Sequence, residues 1–502
     1  MLAWTIYISF LGAAVLAIMP RGNPSGARKL ALVVAALGLL FSIIGWLQIS
    51  PGTTAQIVKV PWIASLGIEY YLAADGISLT LVLLTGIASV AGILFSWNIE
   101  HRAKEFFSLY LALIGGVYGV FLSFDLFLLF VFYEIAIIPK YFLIAIWGST
   151  RREYAAMKLA LYSFAGSAMV LIGLIAAFVL AGAKTTSLVE LARFPFPPGF
   201  QMWVFPLVFV GFAILAGLWP FHTWAPTGHV AAPTAASMLL AGVVMKLGAY
   251  GALRVAMLLF PLGLQPWGFT FLGFASWRDV FAVLAVVGIL YGAMVALVQK
   301  DFKFVIGYSS VSHMGFVLLG FMTLKTVGLS GAVLQMFSHG IVAGLLFAVV
   351  GRMVYDRAHT RELDLLQPLN LSRTLPFAAV IFILATMASI GLPGFSGFIA
   401  ELQVVIGAWH AFPSLAVLTG LGILLGVAYG LRALQKAFFA EHPAPTPLHD
   451  SLPPISIPER FGAALLITAS LVVGLYPDLL LKWIVPSFNS PLFDGLKKAG
   501  LV

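Results

Sequence analysis

Six ionisable side chains lie inside long apolar stretches of the sequence, where an unpaired charge is costly. They are Glu134, Lys140, Lys246, His313, His339 and Glu401. Glu134 and Lys140 share one run, VFYEIAIIPKYFLIAIWG at residues 131–148. A Lys or Asp at the centre of a membrane helix costs about 2.5–3.5 kcal/mol on insertion scales, so such residues usually mark a path for ions or protons. The alternative for each residue is a polar contact that only holds neighbouring helices together.

Three further polar residues lie near this set. Lys158 follows Arg151 and Arg152 closely enough for its ammonium group to reach the aqueous surface. His222 and His229 flank a Pro-rich break and could bind a metal ion, but no third soft ligand is near in the sequence. We predict that these two histidines carry protons or cap a broken helix.

The stretches that hold these residues are predicted membrane helices. Of the 502 residues, 61% are hydrophobic and 9% are charged, whereas about 25% of the residues in a soluble domain are charged. Apolar runs of about 18 or more residues recur, and each is long enough to cross a bilayer core of about 30 Å. Segments of about ten alternating residues, typical of transmembrane barrels, are absent. The composition therefore predicts an all-α, polytopic membrane protein.

The apolar runs give about fourteen predicted spans. They cover residues 2–19, 30–48, 77–97, 106–123, 126–148, 156–181, 202–219, 233–257, 280–299, 304–324, 329–351, 375–410, 413–438 and 461–484. The sequence contains no cysteine, which excludes disulfides, thiolate metal sites and Cys-ligated iron–sulfur clusters from this chain. No basic residue precedes the first span, so we expect no cleaved signal peptide.

The basic residues between the predicted spans fall unevenly on the two sides of the membrane. Loops on one side, including the one with Lys303, hold far more Lys and Arg than loops on the other side, where Arg254 is counted. The richer side faces the cytoplasm by the positive-inside rule. Both termini are then expected outside, which agrees with an even number of spans. The net charge of +9 reflects this topology rather than binding to nucleic acid.

Two predicted spans contain Gly and Pro together near mid-membrane. GLWP at 217–220 precedes FHTWAPTGHVAAP, and GLPG at 391–394 precedes FSGF. Because Pro removes a backbone donor and Gly weakens a helix, the seventh and twelfth spans are predicted to be discontinuous. Such breaks indicate an inverted repeat around an ion path. VVMKLGAYGALR at 243–254 and GILLGVAYGLRAL at 422–434 resemble each other, which supports two five-helix repeats, spans 4–8 and 9–13.

The longest motifs resemble the antiporter-like subunits of respiratory complex I, and within that group the subunit M family. They are YYLAADGISLTLVLLTGI, YEIAIIPKYFLIAIWG, PFHTWAPTGHVAAPTAASMLLAGVVMKLGAYGALR, DFKFVIGYSSVSHMGF, FSHGIVAGLLF and GLPGFSGFIAEL. The resemblance covers about residues 70 to 484. It implies a hydrated line of charges along the membrane plane. The expected parts are N-terminal helices at 1–105, repeats at 106–257 and 280–438, and a C-terminal helix at 461–484.

The resemblance assigns roles residue by residue. Glu134 matches the Glu of the family's fifth helix, and Lys246 matches the linking Lys of the eighth. His313 and His339 match polar residues of the tenth and eleventh helices. Glu401 matches the exit-side Glu of the twelfth helix.

One position departs from the family pattern. The family carries a Lys in the seventh helix as partner of the fifth-helix Glu, but this chain has Leu215 there. Lys140 lies about 9 Å along the helix from Glu134 and about 120° around it. Pro139 should kink the helix between them. We predict that Lys140 replaces the missing Lys, and the alternative is that Lys140 reaches a lipid headgroup and the pair is lost.

The resemblance implies a proton-translocating subunit of an NADH-quinone oxidoreductase, driven by quinone reduction elsewhere in the complex. It implies no cofactor here, with NADH or another donor, FMN, iron–sulfur clusters and quinone in partner subunits. The expected partners are L-like and N-like subunits, small K-like and J-like chains and the lipid bilayer of the inner membrane, and no nucleic acid. Two other classes stay open, a multisubunit cation/proton antiporter and a hydrogenase-linked membrane arm. A fourth alternative is a structural subunit that no longer pumps protons, because Leu215 stands where the family has a Lys.

Overall fold

The structure is a computed structural model that describes residues 1–20, 22–268, 270, 272–439 and 452–499. Within these residues, twelve helices are long and apolar enough to cross a membrane. The predicted all-α membrane fold is confirmed, with one two-stranded hairpin in addition. The predicted number of about fourteen spans and their grouping into two repeats stay predictions.

The helices follow one another along the chain. They are α1 Ala3–Ile18, α2 Pro24–Gln48, α3 Gly76–Phe95, α4 Ala103–Leu122, α5a Leu126–Ile135, α5b Ile137–Trp147, α6 Arg152–Leu180, α7a Pro198–Ala216, α7b Trp224–Ala231, α8 Thr234–Met257, α9 Trp277–Val298, α10 Phe302–Thr323, α11 Thr326–Ala358, α12a Pro376–Ser389, α12b Ser396–Ala411, α13 Pro413–Phe438, α14 Ile457–Leu475 and α15 Asp478–Ser487. The helices α1, α12a and α12b are each shorter than the twelve long helices.

The helices that carry the candidate residues lie at the centre of the bundle. The apolar stretches of α8 and α11 are entirely buried, and those of α3 and α10 are nearly so. By contrast, α2, α6 and α13 expose much of their apolar surface at the periphery. A helix that is apolar all round is buried by its neighbours. The polar groups of α8, α10 and α11 therefore face other protein elements rather than lipid.

Two helices are broken where Gly and Pro coincide, as the sequence predicts. The helix α7a ends at Gly217, whose φ of 85° suits a residue without a Cβ atom. The Trp224 indole then donates a hydrogen bond of 2.8 Å to the Ile214 carbonyl across the gap. The helix α12 is broken at Gly391 and Gly394, with φ angles of 76° and 101°. Both short loops are partly exposed, since Phe221 at the first break and Leu392 at the second lie on the surface of the bundle.

The fifth helix is also interrupted. Its two parts meet at Ala136, three residues before Pro139. Because Pro has no N–H group, it cannot bond the carbonyl four residues back, which weakens the helix there. The interruption lies between Glu134 and Lys140, where the sequence predicts a kink.

Wide helical turns in two buried helices were not predicted. The segments Leu240–Val244 and Ala252–Met257 of α8 and Val349–Tyr355 of α11 are π-helical. A π turn shifts the hydrogen-bond ladder by one residue and is frequent at functional sites. The first of these segments ends two residues before Lys246.

A β-hairpin precedes α3, in a segment that the sequence analysis treated as a connection. Its strands are β1 Ala55–Ile63 and β2 Ile68–Ala74, which pair antiparallel. Lys59 and Glu69 form an ion pair across it, with 3.1 Å between Nζ and Oε2. The hairpin ends at Asp75, which caps α3 by accepting hydrogen bonds from two backbone N–H groups.

Two basic residues that were assigned to loops are buried. Arg254, assigned to an outer loop although it lies near the end of the predicted span 233–257, is 0% exposed, and its guanidinium pairs with Asp75. Lys303, assigned to a cytoplasmic loop, lies in the first turn of α10 with 3% of its surface exposed. Both assignments to loops were wrong, since each side chain turns into the bundle.

The C-terminal helix also differs from its predicted bounds. It begins at Ile457 and ends at Leu475, and α15 follows as a separate helix, so the range 461–484 was displaced. Glu459 consequently lies inside the bundle, where Oε1 is 2.5 Å from Arg352 Nε and Oε2 is 2.8 Å from Arg357 Nη2. Glu459 is therefore a buried acidic residue that the six candidates did not include.

Candidate functional site

Four of the six predicted residues lie in one chain of contacts across the bundle. Lys246 Nζ is 2.7 Å from His339 Nδ1, and the ring centroids of His339 and His313 are 5.4 Å apart. His313 Nδ1 is in turn 3.0 Å from Glu401 Oε1. These residues belong to α8, α11, α10 and α12b. An amine, two imidazoles and a carboxylate in this order can each accept and release a proton.

The π turn in α8 shapes the Lys246 end of this chain. Lys246 is fully buried, and its ammonium nitrogen also bonds the carbonyl of Ala241, five residues earlier. Because a π-helical segment spans 240–244, the carbonyl ladder there does not follow the usual four-residue spacing. The side chain therefore has a backbone acceptor on its own helix and an imidazole acceptor on α11. No local sequence pattern predicted this turn.

The imidazole of His313 is held on both ring nitrogens. Its Nε2 lies 3.1 Å from Ser389 Oγ, at the end of α12a, while Nδ1 contacts Glu401 on α12b. Gln335 Nε2 lies 3.3 Å from the same Glu401 oxygen. Tyr429 OH approaches His313 Nε2 at 3.5 Å. A proton that reaches one ring nitrogen can thus leave from the other.

Gln335, Ser389 and Tyr429 were not singled out from the sequence. Tyr429 belongs to the stretch at 422–434 that echoes 243–254, so a signal for it existed. Its counterpart in the echo, Tyr250, is also buried and hydrogen-bonded, to Ser78 Oγ at 3.0 Å. Gln335 and Ser389 are neutral polar residues in apolar runs, and nothing in their spacing distinguishes them from helix-packing residues.

Glu134 and Lys140 form a second group, separate from the first. The Lys140 side chain is 1% exposed, and its Nζ has no hydrogen-bonding partner among the described residues. Glu134 is half-buried, and its Oε1 also lacks a partner within the described part of the chain. Glu134 acts electrostatically on Lys140, but the described contacts include no ion pair between them. The side chain of Lys140 thus turns into the protein rather than toward the surface.

Leu215 is buried in the last turn of α7a and packs beside α8. A Cβ atom on Gly248 would lie 3.0 Å from the Leu215 carbonyl carbon, so the two backbones approach closely there. Gly248 is two residues after Lys246. The position at which the family carries a Lys is therefore next to the helix that carries Lys246.

The imidazole rings of the two histidines at the first break are buried. His222 and His229 have no partner on any ring nitrogen within the described residues. Within the same residues, no group of three His, Cys, Asp or Glu side chains could hold a metal ion. Lys158, predicted to reach the aqueous surface, lies with Nζ 3.4 Å from Thr227 Oγ1 of α7b. Neither histidine caps the broken helix through its side chain.

Known proteins resemble this chain over its whole length. Residues 123–426 match the family described as NADH:quinone oxidoreductase/Mrp antiporter, transmembrane. NADH-quinone oxidoreductase subunit M of Rhodobacter capsulatus is 37% identical over 96% of this chain and 94% of its own length. The subunit of the same name from Escherichia coli is 35% identical, over 96% and 95% of the two chains.

Solved structures share the fold. A chain of respiratory complex I from Thermus thermophilus superposes with a TM-score of 0.87 and 28% identity, over 100% of this chain and 99% of that chain. A chain of the Mrp complex from a Dietzia species gives a TM-score of 0.84 at 21% identity, over 100% and 98% of the two chains. At that identity the second likeness concerns the fold alone.

Proposed function

Because this chain belongs to the NADH:quinone oxidoreductase/Mrp antiporter transmembrane family, we propose that it is the proton-translocating subunit M in the membrane arm of a respiratory NADH-quinone oxidoreductase. The observation that carries the proposal is the line of contacts from Lys246 through His339 and His313 to Glu401. The chain has no redox centre of its own in this proposal. NADH or another donor, FMN, iron–sulfur clusters and quinone belong to partner subunits.

Protons move along this line in single steps. The Lys246 ammonium gives its proton to His339 Nδ1, which it already contacts. Rotation of a ring or one bridging water then closes the gap of 5.4 Å between the centroids of His339 and His313. His313 passes the proton to Glu401, because its Nδ1 lies within hydrogen-bonding distance of that carboxylate. Glu401 releases it to the outside or to the next subunit.

Glu134 and Lys140 supply the switching pair. A buried ammonium group is stabilised by a nearby carboxylate and loses that stabilisation when the two separate. The interruption at Ala136 lies between the residues, so a change of bend there alters the distance between Nζ and the carboxylate. In this proposal, Lys140 takes the role that a seventh-helix Lys has in the family. When the distance between Lys140 and Glu134 changes, the electric field of the pair changes at Lys246 on α8.

The surroundings of the chain follow from the same proposal. Its neighbours are an L-like and an N-like subunit, with small K-like and J-like chains toward the quinone site. The membrane is the inner membrane, and both termini lie on its outer side. The chain divides at 1–105, 106–257 and 280–438 into N-terminal helices and two inverted repeats, which the C-terminal helix Ile457–Leu475 follows.

Replacement of Lys246 or Glu401 tests this function. In the assembled complex, Lys246→Ala and Glu401→Ala should lower quinone reduction and proton pumping together, since the two steps are coupled. Inside-out membrane vesicles report both, by NADH oxidation and by quenching of a pH-sensitive dye. Full activity in both variants would show that Lys246 and Glu401 do not have the roles proposed for them.

A subunit of a multisubunit cation/proton antiporter is the second candidate, because the Mrp complex shares the fold. The two differ in what drives transport. Proton uptake that needs NADH and quinone and ignores sodium favours the oxidoreductase. Sodium-dependent exchange without NADH favours the antiporter, and a gene cluster with hydrogenase subunits favours a hydrogenase-linked arm.

A further inference from the structure

A row of buried polar side chains on α8 runs from Lys246 toward the face predicted to be external. The segment Met245–Gly251 is α-helical, so Tyr250, four residues on, lies one turn beyond Lys246 on the same face. The guanidinium carbon of Arg254 is 5.4 Å from the centroid of the Tyr250 ring. All three side chains are 0% exposed. The proposed function uses Lys246 but neither Tyr250 nor Arg254.

The Tyr250 hydroxyl is held by two contacts across the bundle. It donates its proton to the backbone carbonyl of Phe121 at 2.9 Å, and its oxygen lies 3.0 Å from Ser78 Oγ on α3. A backbone carbonyl accepts a hydrogen bond but has no proton to pass on. This arrangement holds the hydroxyl proton away from the outward direction of the row.

Arg254 places a permanent positive charge beyond Tyr250, because an arginine side chain keeps its proton in a protein. Its Nη2 bonds Asp75 Oδ1, whereas its Nε and Nη1 have no partner among the described residues. Asp75 directly precedes α3, at the end of that helix predicted to be external. A proton that moves outward from Lys246 therefore meets the guanidinium before it meets the carboxylate.

Aromatic rings pack around the guanidinium of Arg254. Its carbon lies 5.6 Å from the ring centroid of Phe124, just before α5a, and 5.7 Å from that of Phe493 in the C-terminal segment. Both phenylalanines are 0% exposed. Ser487 Oγ, at the end of α15, accepts a hydrogen bond of 3.0 Å from the Gly76 N–H group of α3. The C-terminal part of the chain thus covers the cation.

The echo of this motif at 422–434 lacks the cation. When AYG at 249–251 is aligned with AYG at 428–430, Ala433 stands opposite Arg254. Tyr250 and Tyr429 are both buried and hydrogen-bonded, so the echo keeps the tyrosine without the arginine. A buried ion pair is often no more stabilising than apolar residues of similar volume. Helix packing alone therefore does not account for Arg254.

We propose that Arg254 is an electrostatic barrier that closes the outer end of α8 to protons, so that a proton at Lys246 leaves only through His339. Like charges repel strongly at short distance in a protein interior, and a fixed arginine is one device by which membrane pores exclude protons. The barrier transfers no proton and consumes no reactant. The inference rests on the proposed function and adds the element that keeps pumped protons from returning along α8.

A purely structural ion pair between Arg254 and Asp75 is the alternative, and the two roles differ in what is lost. A structural pair determines how much complex assembles, but each assembled complex is then impermeable to protons. A barrier determines the passive proton leak of each assembled complex. The leak per complex therefore separates the two roles, whatever the yield of assembly.

The test uses the intact complex reconstituted into liposomes that contain a pH-sensitive dye, at equal amounts of assembled complex. The double variant Asp75→Asn with Arg254→Met removes both charges and leaves no unpaired carboxylate. It should speed the passive decay of an imposed pH gradient by about tenfold or more, since the repulsion between two close unit charges exceeds the energy that changes a rate tenfold. NADH oxidation should continue while fewer protons are pumped per NADH.

Two control variants keep the barrier. Arg254→Lys retains the positive charge, so each assembled complex should leak no faster than the wild type does. Lys59→Met with Glu69→Gln removes the surface pair of the hairpin, whose atoms are 3.1 Å apart, and should leave the leak unchanged. A faster leak in the hairpin variant would mean that loss of any ion pair loosens the protein.

Arg254→His gives a second, independent readout. Its leak, relative to that of the wild type, should rise as the pH is raised, because a histidine loses its charge in alkaline medium. The ionisable side chains in contact with this position are Asp75 and Tyr250. A wild-type leak for the neutral double variant overturns the proposal. If that variant does not assemble, a relative leak of Arg254→His that does not change with pH overturns it instead.

The variant Lys246→Ala separates this inference from the proposed function. If Lys246→Ala stops pumping while the neutral double variant leaks no faster than the wild type, only the barrier fails. If Lys246→Ala pumps normally, the proposed function fails first.

Discussion

His313 Nδ1 lies 3.0 Å from Glu401 Oε1, although the two residues are 88 positions apart in the chain. The break in α12 produces this relationship. It ends α12a at Ser389, whose hydroxyl contacts the other nitrogen of the His313 ring at 3.1 Å, and restarts the helix before Glu401. A continuous helix could not place both residues around one imidazole, so the Gly-rich break determines the Glu401 end of the line of contacts.

Removal of either partner in this contact should interrupt the path at the same step. His313→Ala and Glu401→Gln should each lower proton pumping by at least about tenfold, because a missing acid–base group typically costs more than that. The double variant should pump protons no more slowly than the slower of the two single variants, as measured by dye quenching in inside-out vesicles. His410→Ala, on the exposed part of α12b, is the control. Additive losses in the double variant would mean that the two residues act on different steps.

Lys140→Met should impair pumping about as much as Glu134→Gln does, because each leaves the proposed switching pair with one member. Moving the cation back to the seventh helix, with Lys140→Met and Leu215→Lys together, should recover part of the activity. The measurement is NADH-driven proton uptake at equal levels of assembled complex. A harmless Lys140→Met would refute the assigned role.

The same substitution should stabilise the protein while it harms function. An unpaired buried ammonium costs several kcal/mol, and methionine has nearly the same shape without the charge. Lys140→Met should therefore raise the thermal unfolding temperature of the solubilised complex, where each kcal/mol corresponds to about 2–4 °C for a domain of ordinary size. A lower unfolding temperature would indicate that Lys140 has a structural partner and is not retained for switching.

Membrane topology can be checked with reporter fusions. Reporters placed after Arg152 and after Arg361 should read cytoplasmic, and one after Lys184 should read external, as the distribution of Lys and Arg predicts. A paired alkaline phosphatase and fluorescent protein series would report both sides. An inverted result at any of the three sites would contradict the predicted map.

The buried pair of Arg254 and Asp75 should matter for assembly. Asp75→Asn leaves the guanidinium without its carboxylate, and loss of one partner in a buried pair costs about 3–5 kcal/mol. The amount of assembled subunit should fall, and the double variant Asp75→Asn with Arg254→Met should recover part of it. The surface pair of Lys59 and Glu69 is the matched control, where removal of one charge costs about 1 kcal/mol or less. Equal effects at both pairs would contradict this difference.

Local chemistry explains why part of this structure could be predicted. The breaks of α7 and α12 follow from Gly and Pro at adjacent positions, which act within a few residues. The long helices follow from apolar runs. The candidates Lys246, His313, His339 and Glu401 were identified because charges are rare in such runs, and the structure brings these four together.

The unpredicted features depend on distant packing. Arg254 was counted with a loop because it lies near the end of its predicted span, and the sequence does not reveal that its guanidinium pairs with Asp75, 179 positions away. Gln335 joins Glu401 only through the packing of α11 against α12b. The hairpin before α3 has no strong alternation, since β1 is largely exposed and β2 is largely buried. The pairing of Lys140 with Glu134 also stays a prediction.

The burial of α8 has a consequence for how the chain is made. This helix carries Lys246 near its centre, where a cation costs about 2.5–3.5 kcal/mol during insertion from the translocon. Its imidazole acceptor, His339, lies 93 residues further along and is synthesised later. While the ribosome produces those residues, lipid alone cannot satisfy the ammonium group of Lys246. The nascent α8 must therefore stay beside the earlier helices, and α11 completes its surroundings only when it arrives.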